Sequence, residues 1–194
     1  MNKIKIMEKF KKLSSYLATL VLFVIISFAY FSPVLKGKKL DMQDIKHWKG
    51  MSKEVVDFRD ATGEEALWTN SMFSGMPAYQ ISTKYKGNLI QYVAKALSLG
   101  IPRPAGMLFL YLLGFYILLL SLQVDYRLSA VGAIAFAFSS YFFIIIQAGH
   151  MTKAHAIAYV PMVIAAVLYT YRGKMFLGGV LTALTVALEL YANH

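Results

Sequence analysis

Apolar residues are concentrated in five stretches of the chain, each about as long as a bilayer-spanning helix requires. Such a helix needs about 20 mostly apolar residues. The first stretch is separated from the other four by a mixed segment, residues 36–104. The pattern predicts an all-α polytopic membrane protein with about five transmembrane helices. The five stretches are Ser14–Leu35, Ala105–Val124, Leu128–Ala148, Ala154–Tyr171 and Met175–Ala192.

The mixed segment carries a second kind of pattern. In DIKHWKGMSKEVVDFRDATG, apolar residues recur every three or four positions, which predicts an amphipathic helix from about Ile45 to Thr62. A second amphipathic stretch, NLIQYVAKALSLG, ends at Gly100. We expect both helices to lie in the membrane interface. We predict that the apolar face, Ile45, Trp48, Val55 and Phe58, is more buried than Lys46, Lys53 and Asp57.

Composition and charge place these elements relative to a membrane. The chain is 58% hydrophobic, which is too apolar for a typical soluble domain. Five of its lysines lie in the first twelve residues, so the positive-inside rule predicts a cytoplasmic N-terminus. Five successive crossings then place the loop 36–104 outside the cytoplasmic membrane. The positive charge clusters beside apolar helices, so we expect membrane lipid as a partner and no nucleic acid.

Two acidic residues follow the first apolar stretch. Asp41 and Asp44 are predicted to lie close to the outer membrane surface. A carboxylate there can act as a general base toward an acceptor hydroxyl, or bind a divalent metal ion, which is one candidate cofactor. Alternatively, Asp41 caps the following helix and Asp44 occupies its first turn, where negative charge suits the helix dipole. The residues alone leave both interpretations open.

The segment QAGHMTKAH, residues 147–155, interrupts two apolar runs with polar groups. Lys153, His150 and His155 can hold an anionic group such as a phosphate. The alternative is a polar turn whose side chains simply meet water. We predict that the segment connects a helical hairpin and faces the same cavity as Asp44. One lipid phosphate and one sugar must fit between acid and cation, which predicts a distance of about 10 to 15 Å or less between Asp44 and His150 or Lys153.

Three further places carry candidate contacts with an acceptor or a lipid. Trp68 and Tyr79 are aromatic residues of the kind that favour lipid–water interfaces and stack on sugars, although loop packing explains them equally well. Glu189 lies in the predicted fifth helix, where an ionisable residue is a functional candidate unless it snorkels to water. Asn193 is four residues further on, hence on the same helix face, and His194 follows it.

The order of these parts resembles the N-terminal part of the YfhO family of bacterial membrane proteins. The resemblance rests on WTNSMFSGMPAYQI and GHMTKAHAIAYVP, and it extends over essentially the whole chain. Members of that family are several times longer. The resemblance therefore implies that residues 1–194 are a single membrane domain, an N-terminal fragment whose partner is the C-terminal remainder of the same protein.

The YfhO family is linked to the GT-C superfamily of polytopic glycosyltransferases. The resemblance implies an enzyme that moves a sugar from a polyprenyl-phosphate donor to a cell-envelope acceptor. It implies Asp44 as the catalytic base, with Asp41 second, and His150 and Lys153 near the donor phosphate. The chain carries no GxGxxG or P-loop fingerprint, which suits a lipid-linked donor. The alternatives are a lipid or polysaccharide transporter or flippase, and a non-catalytic scaffold subunit.

Overall fold

The computed structural model describes residues 3–82, 85 and 87–193. This part of the chain is all-α, as predicted, apart from one short antiparallel hairpin in which β1 (Trp68–Thr69) pairs with β2 (Met76–Pro77). The helices in the described part are α1 Lys3–Tyr30, α2 Gln43–Met51, α3 Lys53–Thr62, α4 Ile90–Leu97, α5 Ala105–Ser121, α6 Tyr126–Ala137, α7 Ser140–Ala148, α8 Met151–Tyr171 and α9 Met175–Ala192.

Three helices in the described part are long and apolar enough to cross a membrane. They are the stretch Phe10–Tyr30 of α1, all of α8 and all of α9. The predicted third span is divided into α6 and α7, which bend by 49° at the break between them and together would count as a fourth. The predicted second span is α5, an apolar helix of 17 residues. The protein is thus a membrane protein with three or four candidate spans, and five crossings stay a prediction.

Helix α5 lies at the centre of the bundle. Every residue from Ala105 to Leu112 is buried, because the helix is apolar around its whole circumference. Its backbone lies close to α8 at Gly114, where an added Cβ would be 2.5 Å from the carbonyl oxygen of Ala158. Small residues allow this close approach between apolar helices. On another face of α5, Phe115 stacks on Phe136 of α6 with ring centroids 4.2 Å apart.

The end of the bundle that carries the candidate site is defined by aromatic packing. The ring of Tyr30, the last residue of α1, lies 4.7 Å from that of Phe143 in α7. Toward the opposite end, Phe23 of α1 packs against Tyr116 of α5 with centroids 5.4 Å apart. The end of α1 therefore lies beside the first half of α7, and α8 begins two residues after α7 ends.

Residues 36–104, which we call the α1–α5 connection, are held together by side-chain contacts. Glu54 of α3 accepts hydrogen bonds from the Thr69 hydroxyl and from the backbone amides of Asn70 and Ser71, the last two at 3.0 and 2.9 Å. These bonds lower the pKa of Glu54, the Thr69 bond most. The indole of Trp48 donates to the carbonyl oxygen of Ile81 at 2.9 Å. Within the connection, the segment after α3 is therefore fastened to α2 and α3 by side-chain hydrogen bonds.

A buried ion pair adds to this unit. Arg59 is buried on α3 and donates to both carboxylate oxygens of Glu65, at 2.8 and 2.7 Å. The same guanidinium donates to the carbonyl oxygen of Ser82 at 2.9 Å. A planar guanidinium suits this bidentate arrangement better than a lysine would.

The amphipathic helix predicted from Ile45 to Thr62 is wrong as a single element. It consists of α2 and α3, which are separated at the buried Ser52. The predicted buried face is only partly buried. Val55 is buried, but Trp48 and Phe58 are 40% and 43% exposed. The predicted order of burial is nevertheless confirmed, because the side chains of Lys46, Lys53 and Asp57 are 59%, 73% and 59% exposed.

Candidate functional site

The site is built around a two-residue turn, Gly149 and His150, between α7 and α8. Gly149 has φ +97, a left-handed conformation that glycine adopts without a Cβ clash. The backbone N–H groups of Gly149 and His150 donate to the carbonyl oxygen of Ile145, at 3.2 and 3.0 Å. These bonds satisfy a backbone carbonyl group at the end of α7, as is usual where a glycine ends a helix. The segment QAGHMTKAH thus contains the two-residue turn between α7 and α8, and the helical hairpin stays a prediction.

The turn packs directly against the start of α2. A Cβ added at Gly149 would lie 3.0 Å from Cβ of Met42 and 3.3 Å from Cβ of Asp44. Beside it, the side-chain amide of Gln147 donates to the carbonyl oxygen of Asp41 at 3.4 Å. Because glycine leaves room for this approach, two segments far apart in the sequence share one surface.

This packing brings the main candidate acid to the main candidate cation. His150 Nε2 lies 3.3 Å from Asp44 Oδ2, which is an ion pair when the imidazole is protonated. The predicted proximity of His150 to Asp44 is confirmed. The two side chains are 52% and 45% exposed, so a hydroxyl group of a substrate can reach the carboxylate. Asp44 lies in the first turn of α2, where the helix dipole favours negative charge.

Asp41 does not cap α2, so this part of the alternative is wrong, whereas the position of Asp44 in the first turn is confirmed. The helix begins at Gln43, its N-cap residue is Met42, and no side chain provides a cap hydrogen bond. Asp41 stands one position too early and instead forms an ion pair with Lys46 at 2.7 Å. Both side chains of this pair are largely exposed. Asp41 therefore lies near Asp44 but already has a cation of its own.

The other two predicted cations have different surroundings. Lys153, in the first turn of α8, is half-buried, and its ammonium lies 5.7 Å from the ring centroid of Tyr141 in α7. His155 is half-buried, and its Nδ1 lies 2.7 Å from the carbonyl oxygen of Met151, one turn earlier in α8. The observed contact with Asp44 is therefore made by His150.

The candidate acceptor contacts are distributed over two other places. Trp68 and Tyr79 are exposed residues of the α1–α5 connection, where the indole of Trp68 covers Gly75. Glu189 is half-buried in α9, and its Oε2 is enclosed without a hydrogen-bond partner among the described residues. Asn193 is the exposed C-cap of α9. The predicted contact at His194 lies outside the described residues.

Sequence reasoning missed an apolar cleft of about 540 Å³ beside the turn. Three separate segments form it: the end of α1, the residue Leu40, and the second half of α7. Gln147 lines it as well, and the amide of this residue contacts Asp41 at the site. The sequence hints at this cleft only through the aromatic residues at the helix ends. Those residues look the same as ordinary bilayer-facing side chains, so they do not predict a cleft. The lining residues are Tyr30, Phe31, Leu40, Phe143, Ile144, Ile146, Gln147 and Ala148.

The donor set at the site is small. Within residues 3–82, 85 and 87–193, no group of three or more His, Asp or Glu side chains could hold a metal ion. Asp44 and His150 supply one oxygen and one nitrogen, whereas a catalytic zinc keeps three protein ligands. These residues do not fit a resident zinc ion, and the chemistry proposed below assigns no step to a metal.

Comparison of the chain with protein-family models, with curated proteins and with solved structures finds no match in any of the three. Membership of the YfhO family stays a prediction from the sequence segments quoted above. The pairing of Asp44 with His150 beside an apolar cleft is an independent observation, since it comes from the packing of α2 against the α7–α8 turn.

Proposed function

We propose that this chain is part of a GT-C-type glycosyltransferase of the bacterial cytoplasmic membrane. The enzyme would move a sugar from a polyprenyl-phosphate donor to a cell-envelope acceptor. The observation that carries the proposal is the half-exposed Asp44 carboxylate, 3.3 Å from the His150 imidazole and next to an apolar cleft. Transfer from a lipid-linked donor needs a base, a positive charge and a place for the lipid within reach of one another.

In the proposed reaction, Asp44 is the general base. Its carboxylate accepts the proton of the acceptor hydroxyl while the hydroxyl oxygen attacks the anomeric carbon of the donor sugar. The bond between that carbon and the phosphate oxygen breaks, and polyprenyl phosphate leaves with the electron pair. Protonated His150 stabilises the negative charge of the departing phosphate. Asp41 is the second candidate base, and it is the less favoured candidate because its carboxylate is paired with Lys46 and not with His150.

The proposed topology has five crossings, with α5 and the bent pair α6–α7 each crossing once. The N-terminus is cytoplasmic, because five lysines precede the apolar part of α1. The α1–α5 connection, Asp44 and His150 then lie on the outer side, where lipid-linked sugars and envelope acceptors meet.

The test places the full-length gene in a strain that lacks it and compares envelope glycans by mass spectrometry. Asp44→Asn keeps the size of the side chain and removes the base, so transfer should fall by about 10²- to 10⁴-fold. Asp57→Asn is the matched control, because Asp57 is exposed on α3 and paired with Lys53. Membrane levels of the variants are measured by immunoblotting. Wild-type glycans in Asp44→Asn at equal levels would refute the assignment of Asp44 as the base.

Transport is the second candidate, and Glu189 is the observation that favours it. Burying a carboxylate oxygen of an apolar helix without a hydrogen-bond partner costs free energy, and such groups often serve ion or proton pathways. The two candidates separate in the same assay. Loss of glycan in Glu189→Gln, with normal glycan in Asp44→Asn, favours transport, and the reverse pattern favours glycosyl transfer.

A further inference from the structure

The cleft beside the turn has the shape and lining of a site for a hydrocarbon chain. Its volume of about 540 Å³ falls within the range of about 300 to 1,000 Å³ that is typical of small-molecule sites. Every lining residue except Gln147 is apolar or aromatic. Two of them, Tyr30 and Ile144, have exposed side chains, so the cleft opens toward the surroundings of the bundle.

Aromatic packing gives the cleft a stable wall. The ring of Tyr30 lies 4.9 Å from that of Phe31 and 4.7 Å from that of Phe143. Phe138, at the break between α6 and α7, lies 5.4 Å from Tyr30. Such edge-to-face and tilted pairs stabilise one another beyond simple burial of area. The packing of these four rings therefore gives the cleft a well-defined wall.

The segment that leads into the cleft at Leu40 carries positive charge. Leu40 lines the cleft and is directly preceded by the exposed residues Lys38 and Lys39. Lys36 ends the short 3-10 turn after α1, and Gly37 reverses the chain with φ +72. Three lysines therefore lie within four sequence positions of the cleft residue Leu40. This arrangement matches a molecule with a hydrocarbon chain and an anionic head.

A single hydrocarbon chain is much narrower than an α-helix, which is about 10 to 12 Å wide, and it can enter the cleft from the lipid side beside the exposed Ile144.

We propose that the cleft binds one hydrocarbon chain of a lipid phosphate, whose phosphate group contacts Lys36, Lys38 and Lys39. The phosphate then lies beside Asp41, whose carbonyl oxygen is bonded by the cleft residue Gln147, and near the Asp44–His150 pair. This assignment places the phosphate ligands on the segment before α2 and not on α8. It rests on the proposed function only for the identity of the lipid as a polyprenyl phosphate.

The test measures lipid retention by the purified full chain in detergent with native mass spectrometry. The probes are a polyprenyl monophosphate, phosphatidylglycerol and zwitterionic phosphatidylcholine. We expect one tightly retained anionic lipid and no retained phosphatidylcholine. Ile144→Trp fills the cleft and should lower retention at least tenfold. Ile164→Trp, at an exposed position of α8, is the matched control and should bind as the wild type does.

A second pair of variants tests the head group and does not depend on the bulky substitution. Lys38→Gln with Lys39→Gln removes two exposed charges and should weaken retention of both anionic probes by about ten- to hundredfold. Lys49→Gln with Lys95→Gln, two exposed lysines outside the segment, should have no effect. Equal retention of all three lipids, or unchanged retention in both cleft and lysine variants, overturns the proposal.

The outcomes distinguish this inference from the proposed function. Selective retention of the polyprenyl phosphate over phosphatidylglycerol supports both. Equal retention of the two anionic lipids supports the cleft as a lipid-phosphate site and removes the argument that the lipid is the donor. Asp44→Asn leaves the cleft unchanged, so it should retain lipid normally even where glycosyl transfer is lost.

Discussion

His150 and Asp44 lie 3.3 Å apart, and the contact is held by backbone packing as well as by charge. Gly149, immediately before His150, packs so closely against α2 that an added Cβ would lie 3.0 Å from Cβ of Met42 and 3.3 Å from Cβ of Asp44. An exposed ion pair alone contributes only about 0 to 1 kcal/mol, so it would not fix this geometry. The glycine contact and the hydrogen bond from Gln147 to Asp41 hold the acid beside the imidazole.

A side chain at Gly149 should strain the contact that holds the pair together. Gly149→Ala adds a Cβ 3.0 Å from Met42, in addition to about 1 to 2 kcal/mol of left-handed backbone strain. Gly173→Ala is the matched control, because it has φ +84 but nothing within 4 Å of the added Cβ. Thermal unfolding of both variants in detergent should show a larger loss of Tm for Gly149→Ala. Equal losses would mean that the contact with α2 contributes nothing.

Cysteine cross-linking tests the same contact directly. The chain contains no cysteine, so introduced thiols have no competitors. Cysteines at Met42 and Gly149 would place their Cβ atoms near the 3.5 to 4.5 Å that a disulfide requires. We expect mild oxidation to produce a linked tryptic peptide, detected by mass spectrometry. Cysteines at Met42 and Gly173 should remain unlinked, and linkage of this second pair as efficiently as the first would contradict the packing.

The α1–α5 connection should loosen in acid through Glu54. Hydrogen bonds to its carboxylate lower its pKa below the ordinary value of 4.5. Its stabilising contribution is therefore present above pH 4.5 and is lost as the pH falls through the lowered pKa. Hydrogen-exchange protection of the amides of Asn70 and Ser71, corrected for intrinsic rates, should fall at low pH.

Two variants complete that experiment. Glu54→Gln should lower protection of these amides by about tenfold at pH 7, because a neutral amide accepts weaker hydrogen bonds than a carboxylate. Its protection should then change little between pH 7 and pH 3.5. The control Glu64→Gln changes an exposed acid and should behave as the wild type does. A wild-type pH response in Glu54→Gln would assign the acid effect to another group.

The topology is tested with single cysteines. Gln80 is an exposed residue of the α1–α5 connection, and Lys11 is an exposed residue near the start of α1. If the connection is outside and the N-terminus is cytoplasmic, an impermeant thiol reagent should label a cysteine at Gln80 in intact cells. A cysteine at Lys11 should react only after the membrane is opened. The opposite labelling pattern would place Asp44 and His150 on the cytoplasmic side.

Hydropathy and charge in the sequence predicted where the helices lie better than they predicted which helices contact one another. The turn at Gly149 was predicted from polar residues placed between two apolar runs. The proximity of His150 to Asp44 was predicted from their expected placement on the same side of the membrane. The breaks at Ser52 and Ser139 did not, since apolar residues continue through both of them. Buried Arg59 was missed because its partners, Glu65 and Ser82, lie in a loop whose conformation no local pattern specifies.

The cleft was missed for a related reason. Its lining comes from α1, Leu40 and α7, and each of these segments alone has the sequence of an ordinary apolar stretch. A concave surface is a property of their mutual arrangement. Likewise, the glycine at 149 signals a turn in the sequence, but only the fold shows that Met42 and Asp44 lie against it.

The hydrogen bond from Gln147 to Asp41 joins residues that are 106 positions apart. Ribosomes add about 5 to 20 residues per second, so about 5 to 20 seconds of synthesis separate the two. During that interval the first acids of the site have left the ribosome without the turn that covers them. Assembly of the site is therefore a late event in biogenesis, which must wait until the turn at Gly149 has been synthesised and has packed against α2.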